Sequence, residues 1–212
     1  WLSSRGLGDV YKRQILVVLN NKTLSWLLSF LGALACLFIS ILLMQTVSDG
    51  SILTYYLGGW VPPIGIEYRI DAANSILLFL ISIISAIVLI FSYSSLHAEI
   101  PEEKHTLFYS CFLLCLTGLL GVVATADIFN VFVFLEISSL STYVLVAQGA
   151  YLDRRALSSS FNYLIMGTIG ATFFVIGIGY IYMATGSLNM MDIAERVNHL
   201  SDNRTIQEGL AF

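Results

Sequence analysis

Glu136 is the residue whose position most strongly indicates chemistry in this chain. It is the only formally charged side chain in the apolar stretch from Ile128 to Leu152. A charge near the centre of a bilayer costs roughly 2.5–3.5 kcal/mol on insertion scales, and ionisable residues at such depths mark ion or proton pathways. Nothing in the neighbouring sequence offsets this cost. We therefore interpret Glu136 as a proton-transfer group; the alternative is a structural ion pair with another helix.

Polar side chains accompany Glu136 on its own helix and on the next one. Ser139 follows it by three residues, and Tyr143 lies two turns along the same helical face. Asn162 and Thr168 are polar residues of the following apolar stretch, which is rich in glycine and alanine. These four residues are candidates for lining a hydrated pathway. The alternative is that small and polar residues simply allow close packing and hydrogen bonding between helices.

Two acidic residues stand immediately before apolar stretches. Asp71 precedes the stretch that begins at 73, and Asp127 precedes the stretch that begins at 128. A carboxylate at the start of a helix accepts hydrogen bonds from the first backbone N–H groups. Each residue is therefore either an N-cap at the membrane edge or a carboxylate at which an ion enters.

The elements that must position these residues are predicted to be membrane-spanning helices. Hydrophobic residues make up 57% of the chain and charged residues 11%, whereas soluble domains carry about 25% charged residues. A spanning helix needs about 20 mainly apolar residues. We predict an all-α fold, a polytopic membrane helix bundle with partial helices at both ends and five complete transmembrane helices, at 26–47, 73–95, 106–126, 128–149 and 158–183.

The two ends of the chain are predicted to be atypical. Residues 1–14 match neither a signal peptide nor a membrane span, and they resemble a translated adapter read-through rather than native sequence. We expect residues 15–212 to be a fragment of a transmembrane domain, with the end of a truncated helix at 15–19 and a new apolar stretch beginning at 209.

Charge and cysteine usage exclude several classes of protein. The net charge is −4 and no basic patch is present, so we predict no nucleic-acid partner. The three cysteines lie inside apolar stretches and none forms a C-x-x-C spacing. We predict no metal ion and no cofactor.

The basic residues indicate an orientation in the membrane. Alternating the spans places one group of basic residues on one side, namely Lys22, Lys104, Arg154 and Arg155, and the other group opposite, namely Arg69, Arg196 and Arg204. The positive-inside rule then assigns the first group to the cytoplasm.

Four segments resemble the proton-conducting antiporter-like subunits of Mrp-type Na⁺/H⁺ antiporters and respiratory complex I. Residues 127–147 (DIFNVFVFLEISSLSTYVLVA) resemble the fifth helix of these subunits. Residues 161–167 (FNYLIMG) and 184–190 (ATGSLNM) resemble the sixth helix and the loop that follows it. Residues 56–66 (YLGGWVPPIGI), followed by Asp71, are most similar to the D-type subunit of the Mrp branch.

The resemblance implies a role for Glu136 and a set of partners. Glu136 corresponds to the glutamate of the fifth helix, a proton-channel residue that works with a lysine on a broken seventh helix. The family often has a further lysine on the sixth helix, where this chain has Asn162, so charge coupling through that helix is not expected. The implied setting is a multi-pass subunit in a bacterial cell (inner) membrane, surrounded by lipid and by other subunits of a hetero-oligomeric complex, with H⁺ and Na⁺ as the transported ions.

Three functions remain open at this point. The first is a proton-translocating subunit of a multisubunit monovalent cation/proton antiporter. The second is a membrane-arm subunit of NADH:quinone oxidoreductase that pumps protons without carrying out redox chemistry. The third is a scaffolding subunit in which Glu136 only holds helices together. The first two differ in their partner subunits rather than in local chemistry.

Overall fold

The computed structural model of the protein describes residues 22–199, apart from the side chains of Lys22, His97, Asn198 and His199. The predictions for residues 1–14, for the partial helices at 15–19 and from 209 onward, and for Arg204 lie outside the described residues.

Five long helices account for most of the described chain. They are α1 (Lys22–Val47), α2 (Ala72–Glu99), α3 (His105–Ala124), α4 (Ile128–Gln148) and α5 (Arg155–Thr185). The shortest has 20 residues, which at 1.5 Å per residue is about 30 Å, the thickness of the hydrocarbon core of a bilayer. All five are long and apolar enough to cross a membrane. The prediction of a polytopic helix bundle is confirmed. Each predicted span overlaps one of these helices, although 106–126 runs two residues past the end of α3 and 128–149 one residue past the end of α4.

Short elements between the long helices were not predicted. Strands β1 (Leu53–Tyr56) and β2 (Glu67–Ile70) form an antiparallel hairpin in which Leu53 pairs with Ile70 and Tyr56 with Glu67. Three short 3₁₀ segments lie at Leu57–Gly59, Glu102–Lys104 and Gly149–Tyr151. A final short helix, α6 (Met190–His199), follows α5. Gly186 ends α5 in the left-handed conformation with φ 71°, which glycine adopts without steric cost.

The best-buried apolar cluster lies where the first three helices meet. Leu89 of α2 and Ala33 of α1 are fully buried there beside Tyr109 and Leu116 of α3. Trp26 of α1 also donates its indole N–H to the carbonyl of Leu89 over 2.9 Å. This cluster holds α1, α2 and α3 together, while α4 packs against α3 on one side and α5 on the other.

Large apolar side chains cover the outer faces of the bundle. Phe91 of α2 is 72% exposed, Phe38 of α1 is 63% exposed and Met166 of α5 is 71% exposed. Contiguous exposed apolar surface on this scale is unusual in soluble monomers and marks contact with a membrane or another protein. The helices therefore present hydrocarbon-compatible faces outward.

Contacts between the connecting segments agree with the prediction that successive helices cross the membrane in opposite directions. At one end of the bundle, Tyr68 of β2 pairs with Thr125, and Asp127 pairs with Asn189 in the loop after α5. At the other end, the ammonium of Lys104 lies 5.5 Å from the ring centroid of Tyr151. The hairpin, the α3–α4 turn and the α5–α6 loop thus share one side.

Candidate functional site

The start of α4 is held by a buried capping carboxylate. Asp127 accepts a hydrogen bond from the backbone N–H of Asn130 over 2.7 Å. Thr125 accepts one from the N–H of Asp127 over 3.3 Å and one from the side-chain amide of Asn130 over 3.1 Å. Burial raises the pKa of the Asp127 carboxyl above its usual 3.8, although its bonds to backbone N–H groups oppose the shift. These bonds satisfy donors that a helix start leaves unpaired.

Two glycines bring α3 close to α4. A Cβ added to Gly118 would lie 2.7 Å from the backbone nitrogen of Ser138, and one added to Gly121 would overlap the ring of Phe134. Cys115 of α3 and Thr142 of α4 also make a hydrogen bond of 3.4 Å. Since real Cβ atoms do not approach so closely, the contact requires glycine at both positions. The face of α4 opposite this contact is left for α5.

The contact between α4 and α5 is built around Tyr143. A Cβ added to Gly167 of α5 would overlap the hydroxyl of Tyr143, so the tyrosine lies directly against the glycine. Ser160 of α5 donates its hydroxyl to the carbonyl of Tyr143 over 2.7 Å. The ring of Tyr163 meets that of Tyr143 edge to face, with centroids 5.0 Å apart. These contacts close the interface one to two turns beyond Glu136.

Glu136 lies on a cavity of about 240 Å³ between α4 and α5. The cavity is lined from α4 by Phe132, Leu135, Glu136 and Ser139, and from α5 by Gly167, Gly170, Ala171 and Phe174. The α5 wall is mostly small residues, which leave space in front of the carboxylate. Among the side chains that the structure describes, no basic group forms an ion pair with Glu136. The cavity is large enough to admit water to a partly buried carboxylate.

The four candidate pathway residues fall into two groups. Ser139 lines the Glu136 cavity, and Tyr143 borders it through Gly167. Asn162 and Thr168 are exposed and do not line the cavity, and Thr168 donates its hydroxyl to the carbonyl of Leu164 within α5.

Asp71 directly follows β2, at the same end of the bundle as Asp127, but it belongs to α2 rather than to the α4–α5 pair. It caps α2, accepting a hydrogen bond from the N–H of Asn74 over 2.9 Å. In the structure Asp71 and Asp127 are therefore both N-caps. A role for either residue in ion entry stays a prediction.

Sequence reasoning missed a buried polar pair at the end of the bundle near Asp127. Glu67 of β2 is 6% exposed and Asn189 is 3% exposed. The side-chain amide of Asn189 donates to the Glu67 carboxylate over 2.8 Å. The signal in the sequence is the apolar–polar alternation of residues 66–70, which is typical of a strand. Their pairing depends on contacts between distant segments, which alternation cannot predict.

Comparison with known proteins shows which proteins this chain resembles. Residues 125–211 match the family model described as NADH:quinone oxidoreductase/Mrp antiporter, TM. The chain is 41% identical over 173 residues to NADH-quinone oxidoreductase subunit N of Desulforudis audaxviator. It is 30% identical over 186 residues to the D-type subunit of the Na⁺/H⁺ antiporter of Alkalihalophilus pseudofirmus. These alignments cover 82% and 88% of the chain but 34% and 37% of the two relatives, so the chain spans about a third of their length.

Two solved structures contain a similar arrangement of helices. A chain of the membrane-bound sulfane sulfur reductase, an archaeal respiratory membrane complex, has a TM-score of 0.71 and 31% identity. The match covers 93% of this chain and 43% of that one. A chain of the Mrp complex from a Dietzia species has a TM-score of 0.77 over 95% of this chain and 37% of that one. Its identity is 20%, so it is evidence of the fold alone.

The five long apolar helices define a multi-pass membrane protein with a polytopic helix-bundle fold. The chain belongs to the NADH:quinone oxidoreductase/Mrp antiporter family. The family predicted from the segments at 56–71, 127–147, 161–167 and 184–190 is confirmed.

Proposed function

We propose that the protein is a proton-translocating membrane subunit of a multisubunit monovalent cation/proton (Na⁺/H⁺) antiporter, with Glu136 in the proton path. The observation that carries this proposal is the position of Glu136, the only ionisable carboxylate of α4, on a cavity between two spanning helices. Similarity to the D-type subunit of the Na⁺/H⁺ antiporter over 88% of the chain supports the same activity.

The geometry supports proton transfer at the carboxylate. A proton binds to a carboxylate oxygen of Glu136 and leaves from the same group, so both protonation states must be accessible. The cavity supplies the space for water, and the hydroxyl of Ser139 on its wall is able to donate or accept a hydrogen bond. Water and hydroxyl groups in sequence then carry the proton to and from Glu136.

Control of the transfer requires a charge that changes its distance from Glu136. A nearby cation favours the charged form of a carboxylate, and its withdrawal favours proton uptake. Family resemblance assigns this cation to a lysine on a later helix. The described residues contribute the carboxylate, the cavity and the packing that holds α4 between α3 and α5.

A second candidate function has its own support. The identity to NADH-quinone oxidoreductase subunit N, 41%, is higher than the 30% to the antiporter subunit. In that setting the chain pumps protons in a respiratory complex whose other subunits carry out the redox reaction. The proposed role of Glu136 is the same in both complexes, because they differ in partner subunits and energy source rather than in the chemistry at this carboxylate.

The test is transport by the intact protein, with its partner subunits, carrying Glu136→Gln. Everted membrane vesicles with a pH-sensitive dye report proton movement after addition of Na⁺ or of NADH. We expect Glu136→Gln to abolish proton movement, because glutamine has a similar shape but binds no proton. Glu103→Gln, an exposed loop variant, is the matched control and should transport normally.

The three functions predict different results. Na⁺-driven proton movement that Glu136→Gln abolishes supports the antiporter, whereas NADH-driven movement that it abolishes supports the respiratory complex. Normal transport by Glu136→Gln contradicts the assignment of Glu136. Loss of the assembled complex in Glu136→Gln, seen on native gels, supports the scaffolding function instead.

A further inference from the structure

The structure brings together three basic side chains that α3 and α4 separate in the sequence. Lys104 directly precedes α3, while Arg154 and Arg155 lie at the start of α5. The ammonium of Lys104 lies 5.5 Å from the ring centroid of Tyr151, which precedes Arg154 by three residues. The α2–α3 connection therefore lies beside the α4–α5 loop. We call Lys104, Arg154 and Arg155 the cationic cluster.

The charges of the cationic cluster are exposed and are not neutralised by ion pairs. All three side chains are exposed, and none forms an ion pair with another side chain that the structure describes. Glu103 is adjacent to Lys104 in the chain but is not paired with it. Asp153 accepts a hydrogen bond from the backbone N–H of Arg155 over 2.9 Å, so its carboxylate is engaged with the start of α5. An anionic ligand is therefore able to approach the cluster.

The cationic cluster lies at the depth of the lipid headgroups. Helices α3 and α5 are both long and apolar enough to cross a membrane, and Lys104 and Arg154 are their N-cap residues. A residue at the end of a spanning helix lies where the hydrocarbon core meets the headgroup region. Lysine and arginine side chains at this level attract anionic lipid headgroups.

Exposed apolar side chains beside the cluster favour a lipid over a soluble anion. Tyr151 and Leu152 are 65% and 66% exposed, in the turn before Arg154. A tyrosine at the membrane interface places its ring at the headgroup level with its polar end towards water. An exposed leucine gains from contact with acyl chains but not from contact with a soluble phosphate. The charged and apolar groups of this loop therefore match the two parts of a phospholipid.

We propose that the cationic cluster binds the phosphate of an anionic membrane phospholipid, whose acyl chains contact Tyr151 and Leu152. The ammonium and the two guanidinium groups would donate hydrogen bonds to the phosphate oxygens. The lipid would thereby link the start of α3 to the start of α5. This inference does not depend on the proposed transport activity, because it concerns a surface at the end of the bundle rather than the Glu136 cavity.

The experiment is photocrosslinking of the intact protein, with its partner subunits, in phosphatidylcholine–phosphatidylglycerol vesicles. Two probes carry a diazirine at the same position of one acyl chain, and they differ only in having a phosphatidylglycerol or a phosphatidylcholine headgroup. Fragment-ion sequencing assigns the label. We expect several-fold more label on residues 151–152 from the phosphatidylglycerol probe, because phosphatidylcholine has no net charge. Equal labelling of these residues by the two probes would overturn the proposal.

A pair of double variants tests the role of the charges. Arg154→Gln with Arg155→Gln should bring the ratio of the two labels at residues 151–152 close to one. Arg69→Gln with Arg196→Gln removes two charges from the other end of the bundle and should leave the ratio unchanged. Equal effects of the two double variants would overturn the proposal. If the first variant does not fold, Arg154→Lys with Arg155→Lys, which should keep the ratio, and the two probes on wild type still decide.

Two further measurements distinguish other anionic ligands. An excess of glycerol 3-phosphate should not reduce the label from the phosphatidylglycerol probe, and its removal of that label would indicate a site for soluble phosphates instead. Native gels report whether Arg154→Gln with Arg155→Gln retains the partner subunits. Loss of a partner subunit together with an unchanged label ratio would indicate an acidic protein surface as the ligand and would also overturn the proposal.

Discussion

The side-chain amide of Asn189 donates a hydrogen bond of 2.8 Å to the carboxylate of Glu67, which lies 122 residues earlier in the chain. The oxygen of the same amide accepts from the backbone N–H groups of Met191 and Asp192, which caps α6. The carbonyl of Glu67 accepts from the N–H of Ala126 over 2.8 Å. One buried pair therefore joins the hairpin, the α3–α4 turn and the start of α6.

Replacing Asn189 by leucine should destabilise the folded protein by roughly 1–3 kcal/mol, because it leaves the buried Glu67 carboxylate without this donor. The free energy of unfolding in detergent, measured by denaturant titration, checks this value. Asn162→Leu on the exposed face of α5 is the control, with an expected change within about 0.5 kcal/mol. Combining Asn189→Leu with Glu67→Met should recover part of the loss, and an additive double variant would contradict the pairing.

Gly167→Ala should separate α4 from α5 and reduce proton transport, because its methyl group would overlap the hydroxyl of Tyr143 at the edge of the Glu136 cavity. Gly179→Ala on the same helix is the matched control, since an added Cβ meets no atom within 4 Å. Dye-based transport assays in vesicles compare the two variants.

Removing the hydroxyl of Tyr143 offers a rescue of Gly167→Ala. In the double variant Gly167→Ala with Tyr143→Phe, the ring atom nearest to the added Cβ would lie 3.0 Å away. A small shift of the ring relieves this close contact. We expect partial recovery of transport. No difference between Gly167→Ala and Gly179→Ala would contradict the packing argument.

Asp127→Asn should flatten the pH dependence of stability while preserving the helix cap, since asparagine and aspartate are similarly good N-caps. Burial raises the pKa of Asp127 above 3.8 in the folded protein. A raised carboxyl pKa contributes stability that is present below the unfolded value and is lost as pH rises through the folded value. Wild type should therefore lose more stability than Asp127→Asn as pH rises from about 4 towards neutrality.

Denaturation midpoints at a series of pH values test this expectation. Asp153→Asn, in the exposed loop before α5, controls for loss of one acidic charge and should retain the wild-type slope. If the denaturation midpoint changed with pH by the same slope in wild type and in Asp127→Asn, the expectation would be contradicted.

Labelling of single introduced cysteines should show that the two ends of the bundle lie on opposite sides of the membrane. Ser51 precedes the hairpin, whereas Asp153 lies in the α4–α5 loop beside Arg154 and Arg155. Contacts between the connecting segments place these two loops at opposite ends. In a background with the three native cysteines replaced by alanine, Ser51→Cys should react with an impermeant maleimide in intact cells. Asp153→Cys should react only in everted vesicles, and the reverse pattern would invert the orientation.

The long helices were predictable because their signal is local. Uninterrupted apolar residues between charged loops define a membrane span without any knowledge of its neighbours, and the predicted 128–149 matches the observed Ile128–Gln148 closely. The capping positions of Asp71 and Asp127 follow equally from adjacent residues. The isolated charge of Glu136 was visible for the same reason.

The sequence by itself determined the membrane class, the five long apolar helices and the isolated carboxylate within the fourth of them, because bilayer insertion selects on composition over about 20 residues. Only the tertiary structure decided which residues share a surface. It placed Ser139 with Glu136, left Asn162 and Thr168 on the exposed side of α5, and joined Glu67 to Asn189. Such choices depend on how helices rotate and pack against one another. That packing is set by contacts such as Tyr143 on Gly167, between residues distant in the chain.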